Sequence, residues 1–287
     1  MTTVAWRTAS RKNVTRASAS IPARLLREGK WHLLPVYALA RTSDLAREGI
    51  ENSGSFRFAD HIYRARPSGR FGIGWLLDTL LLALPASRSM RERYLHSRAY
   101  VAAELRTACS GGRSARILSV PCGIARELVE GADAAGLDIS GSLHGARLIG
   151  MDLDPEPLEL SRALAGRRAG FEFVQGDALD PASYPVGMGL IVSTGLGEFL
   201  DDVELERFYA ACYAALEPGG RFVTSGMSRS KLADGLMREL AELHTHYRDA
   251  SALGGALKRA GFVDIQIQPD RFGLQWLASA SRPLEAA

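Results

Sequence analysis

Three short segments of the chain place a glycine or an acidic residue directly after an apolar run. In the segment 117–125, Cys122 and Gly123 follow the apolar residues. The second segment ends on Asp152, and the third contains Asp177. A carboxylate at the end of a buried strand can accept hydrogen bonds from ribose hydroxyls, and a glycine lets the backbone approach a ligand closely. The pattern therefore predicts a nucleoside site.

The elements that must position these residues begin near residue 113, where short apolar runs start to alternate with helical stretches. This alternation is typical of βαβ units around a parallel sheet. Strands are predicted at 117–120, 148–151, 171–174, 190–192, 222–224, 263–267 and 272–277. A helix is predicted over 155–166 with Asp154 as its N-cap, and another over 204–216. Residues 131–145 are expected to form an inserted loop.

The first hundred residues show helical periodicity and no strand alternation. Helices are predicted over 25–45, 75–84 and 90–109. We therefore expect a helical extension and cap over residues 1–112. Six basic residues and no acidic residue lie in the first 27 positions. This composition fits a transit peptide or a mobile arm, and we favour a partly ordered arm.

The segments from residue 113 to the C-terminus resemble the class I S-adenosylmethionine (SAM)-dependent methyltransferase family. The resemblance implies an α/β fold, Rossmann-like and doubly wound, with a mostly parallel seven-stranded sheet and SAM as cofactor. It also implies a catalytic domain over 113–287. Asp152 would hold the ribose, Asp177 and Ala178 would read the adenine, and Cys122 with Gly123 would line the methionine part. The candidate cofactor-binding residues are Ser119, Pro121, Cys122, Gly123, Asp152, Leu153, Asp177, Ala178, Ser193, Thr194 and Gly195.

Two residues depart from the family pattern. Ser119 stands where the family usually has an acidic residue, and Pro121 stands where it has glycine. Because proline cannot donate a backbone hydrogen bond, the contact with the methionine end of SAM must differ here. Tyr94 and Arg98, one helical turn apart, would suit the SAM sulfonium or carboxylate. In the alternative reading, Tyr94 packs in the core and Arg98 lies at the surface.

The leading hypothesis is methyl transfer to a small, hydrophobic or secondary-metabolite acceptor. Glu198, His61 and Tyr63 are the candidate catalytic residues, because an alcohol or amine acceptor needs a base to remove its proton. A second hypothesis is release of methylthioadenosine, by aminocarboxypropyl transfer or by cyclisation of SAM to azetidine-2-carboxylate. A third is a non-catalytic SAM-binding protein.

Composition and charge exclude several other classes. The net charge of +3 is too balanced to predict a nucleic-acid partner, and no Asn-Pro-Pro-aromatic motif follows the fourth strand. The apolar run 71–85 is interrupted by Asp78 and is shorter than the ~20 residues of a membrane span. Three cysteines without paired spacing predict neither disulfides nor a metal site and fit a cytoplasmic protein. These observations leave the oligomeric state open.

Overall fold

A computed structural model describes residues 21–23, 25–51, 55–136, 145–228 and 245–284 of the chain. Short 3-10 helices lie at Trp31–Leu33 and Pro181–Ser183. The α-helices are α1 (Leu34–Ala40), α2 (Asp44–Glu51), α3 (Phe56–Arg64), α4 (Ile73–Ala83), α5 (Pro85–Ser110), α6 (Arg126–Ala135), α7 (Pro155–Ala165), α8 (Asp202–Ala215) and α9 (Ala250–Arg259). The strands are β1 (Arg116–Ser119), β2 (Arg147–Asp152), β3 (Phe171–Gln175), β4 (Met188–Ser193), β5 (Leu216–Met227), β6 (Val263–Pro269) and β7 (Gln275–Ser281).

A strand forms at each of the seven predicted places, although the last, predicted over 272–277, is observed as Gln275–Ser281, and the seven form one sheet in the order β3-β2-β1-β4-β5-β7-β6. The strands β1 to β5 pair in parallel, and β7 is antiparallel to both β5 and β6. From β1, the chain adds β2 and β3 on one side of the sheet and then β4 and β5 on the other side, which makes the sheet doubly wound. The predicted fold class, a Rossmann-like sheet preceded by helices, is confirmed.

Neighbouring residues of each central strand enter two different hydrophobic clusters. Leu118 and Ile149 belong to one cluster, whereas Ile117 and Leu148 belong to the other. Because successive side chains of a strand point to opposite faces, the two clusters cover the two faces of the sheet. The sheet is therefore buried on both sides, as expected for parallel strands between helices.

Two predictions for local structure are wrong. Residues 25–45 form several short helical segments rather than one helix, since Gly29 adopts a positive φ of 69° and ends the first of them. The expected inserted loop begins later than residue 131, because α6 continues to Ala135. Gly131 is needed inside this helix, since a Cβ there would lie 2.6 Å from Cγ1 of Val101 on α5. Residues 137–144 of the expected loop lie outside the described residues.

The chain divides into two compact units, and the division falls within α5. The described residues up to Arg91 form the first unit, and those from Glu92 onward form the second. The first unit contains α1 to α4, and Leu45, Ile62 and Leu82 form a small core there. The second unit contains the sheet. The predicted functional boundary at residue 112, and the action of the first helices as a cap, stay predictions.

Candidate cofactor site at the carboxyl edge of the sheet

The loop after β1 is held in place by the two neighbouring strands. The Val120 N–H donates to the Val192 carbonyl of β4 at 3.0 Å, and the Cys122 N–H donates to the Met151 carbonyl of β2 at 2.9 Å. Gly123 follows with a positive φ of 50°, a conformation that favours glycine. The path of this loop is therefore fixed by backbone contacts at the carboxyl edge of the sheet.

Asp152 ends β2 and contacts this loop directly. One of its carboxylate oxygens accepts the Gly123 N–H at 2.9 Å, and the other accepts the Asp154 N–H at 3.0 Å. Burial raises the pKa of Asp152, while these backbone hydrogen bonds lower it. A carboxylate has about four acceptor positions, so two remain for a ligand such as a ribose diol. The fold thus brings Asp152 and Gly123 together, and Leu153 is exposed beside them.

Asp177 lies on the neighbouring strand end, two residues beyond β3. Its carboxylate accepts the Leu179 N–H at 2.9 Å, and its own N–H donates to the Ser183 hydroxyl at 3.2 Å. The Ala178 carbonyl accepts the Tyr184 hydroxyl at 2.7 Å. Asp152 is paired with Gln175 across β2 and β3, so the two strands end at the same edge of the sheet. Asp152 and Asp177 therefore lie at neighbouring strand ends.

The last residue of β4, Ser193, contributes a buried hydroxyl to this edge. Ser193 is only 2% exposed, and within the described part of the chain its hydroxyl has no hydrogen-bond partner. Thr194 and Gly195 follow it, and the Gly195 N–H donates to the Ser225 hydroxyl at 3.2 Å. A buried hydroxyl without a partner is costly, and a polar ligand would satisfy it.

Glu198 forms a buried ion pair that sequence reasoning missed. An Arg93 guanidinium nitrogen on α5 lies 2.8 Å from the Glu198 carboxylate, and both side chains are about 95% buried. Burial raises the pKa of Glu198, whereas Arg93 lowers it. The guanidinium also lies against Gly195, where a Cβ would be 3.1 Å from it. The geometry favours a role for Glu198 in holding this loop, and its predicted role as a base stays a prediction.

Ser119 at the end of β1 donates its hydroxyl hydrogen bond to the carboxylate of Glu127 on α6. Burial raises the pKa of Glu127 to about 7, and the Ser119 contact opposes that rise. Sequence reasoning did not single out Glu127. The available signal was an acid in the first turn of the helix that follows a strand lacking its usual acid.

Tyr94 and Arg98 on α5 meet a second acid of α6. The Tyr94 hydroxyl donates to the Glu130 carboxylate, and Arg98 lies 3.6 Å from that carboxylate. Arg126 also pairs with Glu130, at 3.1 Å. Tyr94 is buried, and that burial together with Glu130 raises its pKa. The two side chains therefore share a polar cluster with Glu130, and their predicted contact with SAM stays a prediction.

His61 and Tyr63 belong to the first compact unit. Nε2 of His61 lies 3.0 Å from a carboxylate oxygen of Asp78, which is fully buried in α4. Asp78 also accepts the backbone N–H groups of Leu45 and Ser68, at 3.1 and 2.9 Å. Tyr63 packs against the small apolar core of this unit. Asp78 thus joins three segments of the unit through one carboxylate.

The residues at the sheet edge fit the nucleoside of SAM. They offer two carboxylates on neighbouring strand ends for hydroxyl and amino donors, and the unsatisfied hydroxyl of Ser193 for a further polar contact. In the described ranges there is no group of His, Cys, Asp or Glu side chains that could hold a metal ion. Those ranges also contain no helix long and apolar enough to cross a membrane.

Comparisons with known proteins agree with this arrangement. Residues 117–220 match the family model of a methyltransferase domain. The fold is similar to a possible exported protein from Bordetella parapertussis, with a TM-score of 0.76 and 24% identity over 96% of this chain and 97% of that one. It is also similar to apo SibL, an S-adenosylmethionine-dependent methyltransferase (TM-score 0.50, 20% identity, 91% of this chain and 77% of that one).

A third similar structure is magnesium protoporphyrin IX methyltransferase from Synechocystis PCC 6803, with bound S-adenosylhomocysteine. It has a TM-score of 0.52 and 13% identity, over 78% of this chain and 93% of that one. At such identities these likenesses concern the fold. The comparison with curated proteins gave no match.

Proposed function

From the premise that this chain is a SAM-dependent transferase with a class I methyltransferase domain, we propose that it methylates a small acceptor molecule. The proposal depends chiefly on the set of polar groups at the carboxyl edge of the sheet. Asp152 and Asp177 stand on adjacent strand ends, and the buried Ser193 hydroxyl stands at a third.

We infer that Asp152 binds the ribose hydroxyls and Asp177 binds the adenine. Asp152 is already oriented by two backbone N–H groups, so little side-chain freedom is lost when it accepts a ligand. SAM supplies a methyl carbon made electrophilic by its sulfonium. The protein's contribution is to fix that carbon in line with the acceptor and to exclude water, which lowers the barrier through proximity and orientation.

The acceptor is proposed to be apolar. Three large side chains of α4, spaced at helical intervals in the first unit, are more than half exposed: Ile73, Leu76 and Leu80. An exposed apolar stripe of this kind is typical of a surface that contacts an apolar ligand or partner. The net charge of +3 supports the same conclusion, because it gives no strong attraction for nucleic acid.

For an alcohol or amine acceptor, His61 and Glu198 are the candidate bases. Glu198 is already engaged by buried Arg93. In the first unit, Nε2 of His61 lies 3.0 Å from the Asp78 carboxylate, so His61 is a histidine placed beside an acid. His61→Gln should therefore lower kcat more than it changes the affinity for S-adenosylhomocysteine.

Identifying the nucleoside product tests the proposed reaction. The purified protein is incubated with SAM, with and without a panel of small hydroxy and amino compounds. Methyl transfer predicts S-adenosylhomocysteine that appears only with an acceptor. Methylthioadenosine formed from SAM alone would instead contradict it.

One observation makes the alternative reaction, cyclisation of SAM with release of methylthioadenosine, worth testing. Burial raises the pKa of Glu127, beside the end of β1, to about 7. A carboxylate with such a pKa could take the proton of the substrate's α-ammonium group, so that the amine attacks the γ-carbon. The C–S bond then breaks with its electron pair on sulfur, which releases neutral methylthioadenosine and azetidine-2-carboxylate. The product analysis separates this reaction from methyl transfer.

A further inference from the structure

Ser119 is almost fully buried at the end of β1, and its hydroxyl contacts the carboxylate of Glu127 on the next helix. The loop between them cannot shift easily, because its backbone is bonded to β2 and β4. Ala125, the residue before α6, is also fixed, since its N–H donates to the buried Ser161 hydroxyl at 3.0 Å. Glu127 is thus held beside the strand end.

The cations nearest Glu127 are engaged mainly by its neighbour Glu130, and Arg126 stabilises the Glu127 carboxylate only weakly. Arg126 and Arg98 both pair with Glu130, one turn further along α6, and the Tyr94 hydroxyl donates to the same carboxylate. Within the described ranges, Glu127 forms no ion pair. A partly buried carboxylate that has mainly neutral hydrogen-bond donors is stabilised strongly by an added positive charge.

We propose that Glu127, aligned by Ser119, binds the α-ammonium group at the methionine end of SAM. It would replace the acid that is absent at position 119. This inference rests on the proposed use of SAM. It gives the cofactor site a charged contact contributed by α6 rather than by β1.

Burial raises the pKa of Glu127 to about 7, and an ammonium group beside it would favour its ionised form. Cys122 in the adjoining loop has its pKa raised by burial and further by the negative charges of Asp152 and Glu127. Glu130 and Arg126 on α6, Tyr94 on α5 and Ser119 on β1 are the other polar groups near Glu127. An ammonium group placed here would relieve the repulsion among the carboxylates of Asp152, Glu127 and Glu130.

The test compares two ligands that share a nucleoside. S-adenosylhomocysteine carries the ammonium group, whereas methylthioadenosine has no amino-acid end. Calorimetry on the full chain should show that Glu127→Gln weakens S-adenosylhomocysteine binding by roughly tenfold or more, as expected for a lost charged hydrogen bond. The same variant should bind methylthioadenosine within about twofold of the wild type.

Asp133→Asn is the matched control, because it removes an exposed acid from the same helix, where Asp133 pairs with Arg168. It should leave the affinities for both ligands unchanged. In the background of Glu127→Gln, Ser119→Asp should restore the preference for S-adenosylhomocysteine, since it returns a carboxylate to the strand end. The thermal unfolding midpoint of each variant shows whether it folds.

A Glu127→Gln variant that keeps the wild-type ratio of affinities would overturn the proposal. So would equal weakening of both ligands, because that result would indicate a structural role. If the wild type binds neither ligand, the proposed function itself fails, and the two failures are therefore distinguishable.

Discussion

The two ends of the candidate SAM site are built in different ways. At the proposed nucleoside end, Asp152 is the last residue of β2 and Asp177 lies two residues beyond β3, where the local sequence pattern places them. At the methionine end, the polar groups come from three elements, with Tyr94 on α5, Ser119 on β1 and Glu127 on α6. The nucleoside end is therefore specified by short sequence motifs, whereas the methionine end depends on how α5, α6 and β1 pack together.

The two ends also differ in what holds their carboxylates. Asp152 accepts two backbone N–H groups, which order it before any ligand arrives. Glu127 has the Ser119 hydroxyl as its side-chain partner, and burial raises its pKa to about 7. We therefore expect Asp152 to be ordered before a ligand binds and Glu127 to be more sensitive to pH.

The largest effect is expected at the loop after β4, where the Arg93–Glu198 pair holds the chain beside the cofactor edge. Glu198→Gln leaves the Arg93 guanidinium buried without its counter-charge, so the free energy of unfolding should fall by about 3 kcal/mol. Urea denaturation measures this. The double variant Arg93→Met with Glu198→Leu should lose less, because it removes both charges. Normal stability with lost activity would instead identify Glu198 as the base.

The next effect tests the nucleoside end. Asp152→Ala should weaken S-adenosylhomocysteine binding by about 2 kcal/mol, because it removes a partly buried charged acceptor and the anchor of Gly123. The control is Asp154→Ala, which deletes the side-chain cap of α7 and should cost about 1 kcal/mol of stability while leaving affinity intact. Equal affinities for the two variants would remove Asp152 from the site.

The same contrast explains what the sequence could predict. The strands were predictable because apolar runs and turn residues are local signals, and Asp154 was recognisable as an N-cap next to Pro155. The Arg93–Glu198 contact joins residues 105 positions apart, so no local pattern carries it. Glu127 escaped notice for a related reason, since its importance appears only when α6 packs against the end of β1.

In the first unit, the sequence predicted helices better than their boundaries. The helix at 75–84 is observed as Ile73–Ala83, because a continuous apolar stretch marks it clearly. The long helix predicted over 25–45 ignored Gly29, whose positive φ interrupts the helical backbone. Asp78 was interpreted only as an interruption of an apolar run, although its carboxylate joins separate segments of the unit.

A smaller effect is expected from pH at the methionine end. In the folded chain the pKa of Glu127 is raised from its ordinary value of 4.5 to about 7, so the folded state retains a proton that the unfolded state loses. The stability contributed by this proton is fully present below pH 4.5 and is lost as the pH rises through 7. Relative to Glu127→Gln, the wild type should lose on the order of 1 kcal/mol between those limits. Urea denaturation of both proteins at several pH values measures the difference. Parallel plots of the free energy of unfolding against pH would contradict the raised pKa of Glu127.

The smallest effect is expected from Ser119→Asp, which returns the family's usual acid beside Glu127. Two buried carboxylates in contact cannot both ionise easily, so one of them should keep a proton near pH 7. The pair then carries about one negative charge, as Glu127 alone does when ionised, and S-adenosylhomocysteine affinity should change by less than about threefold. The nucleoside product should also stay the same. A gain or loss of more than about tenfold would show that the methionine end depends on where its charge lies, and not only on how much charge is present.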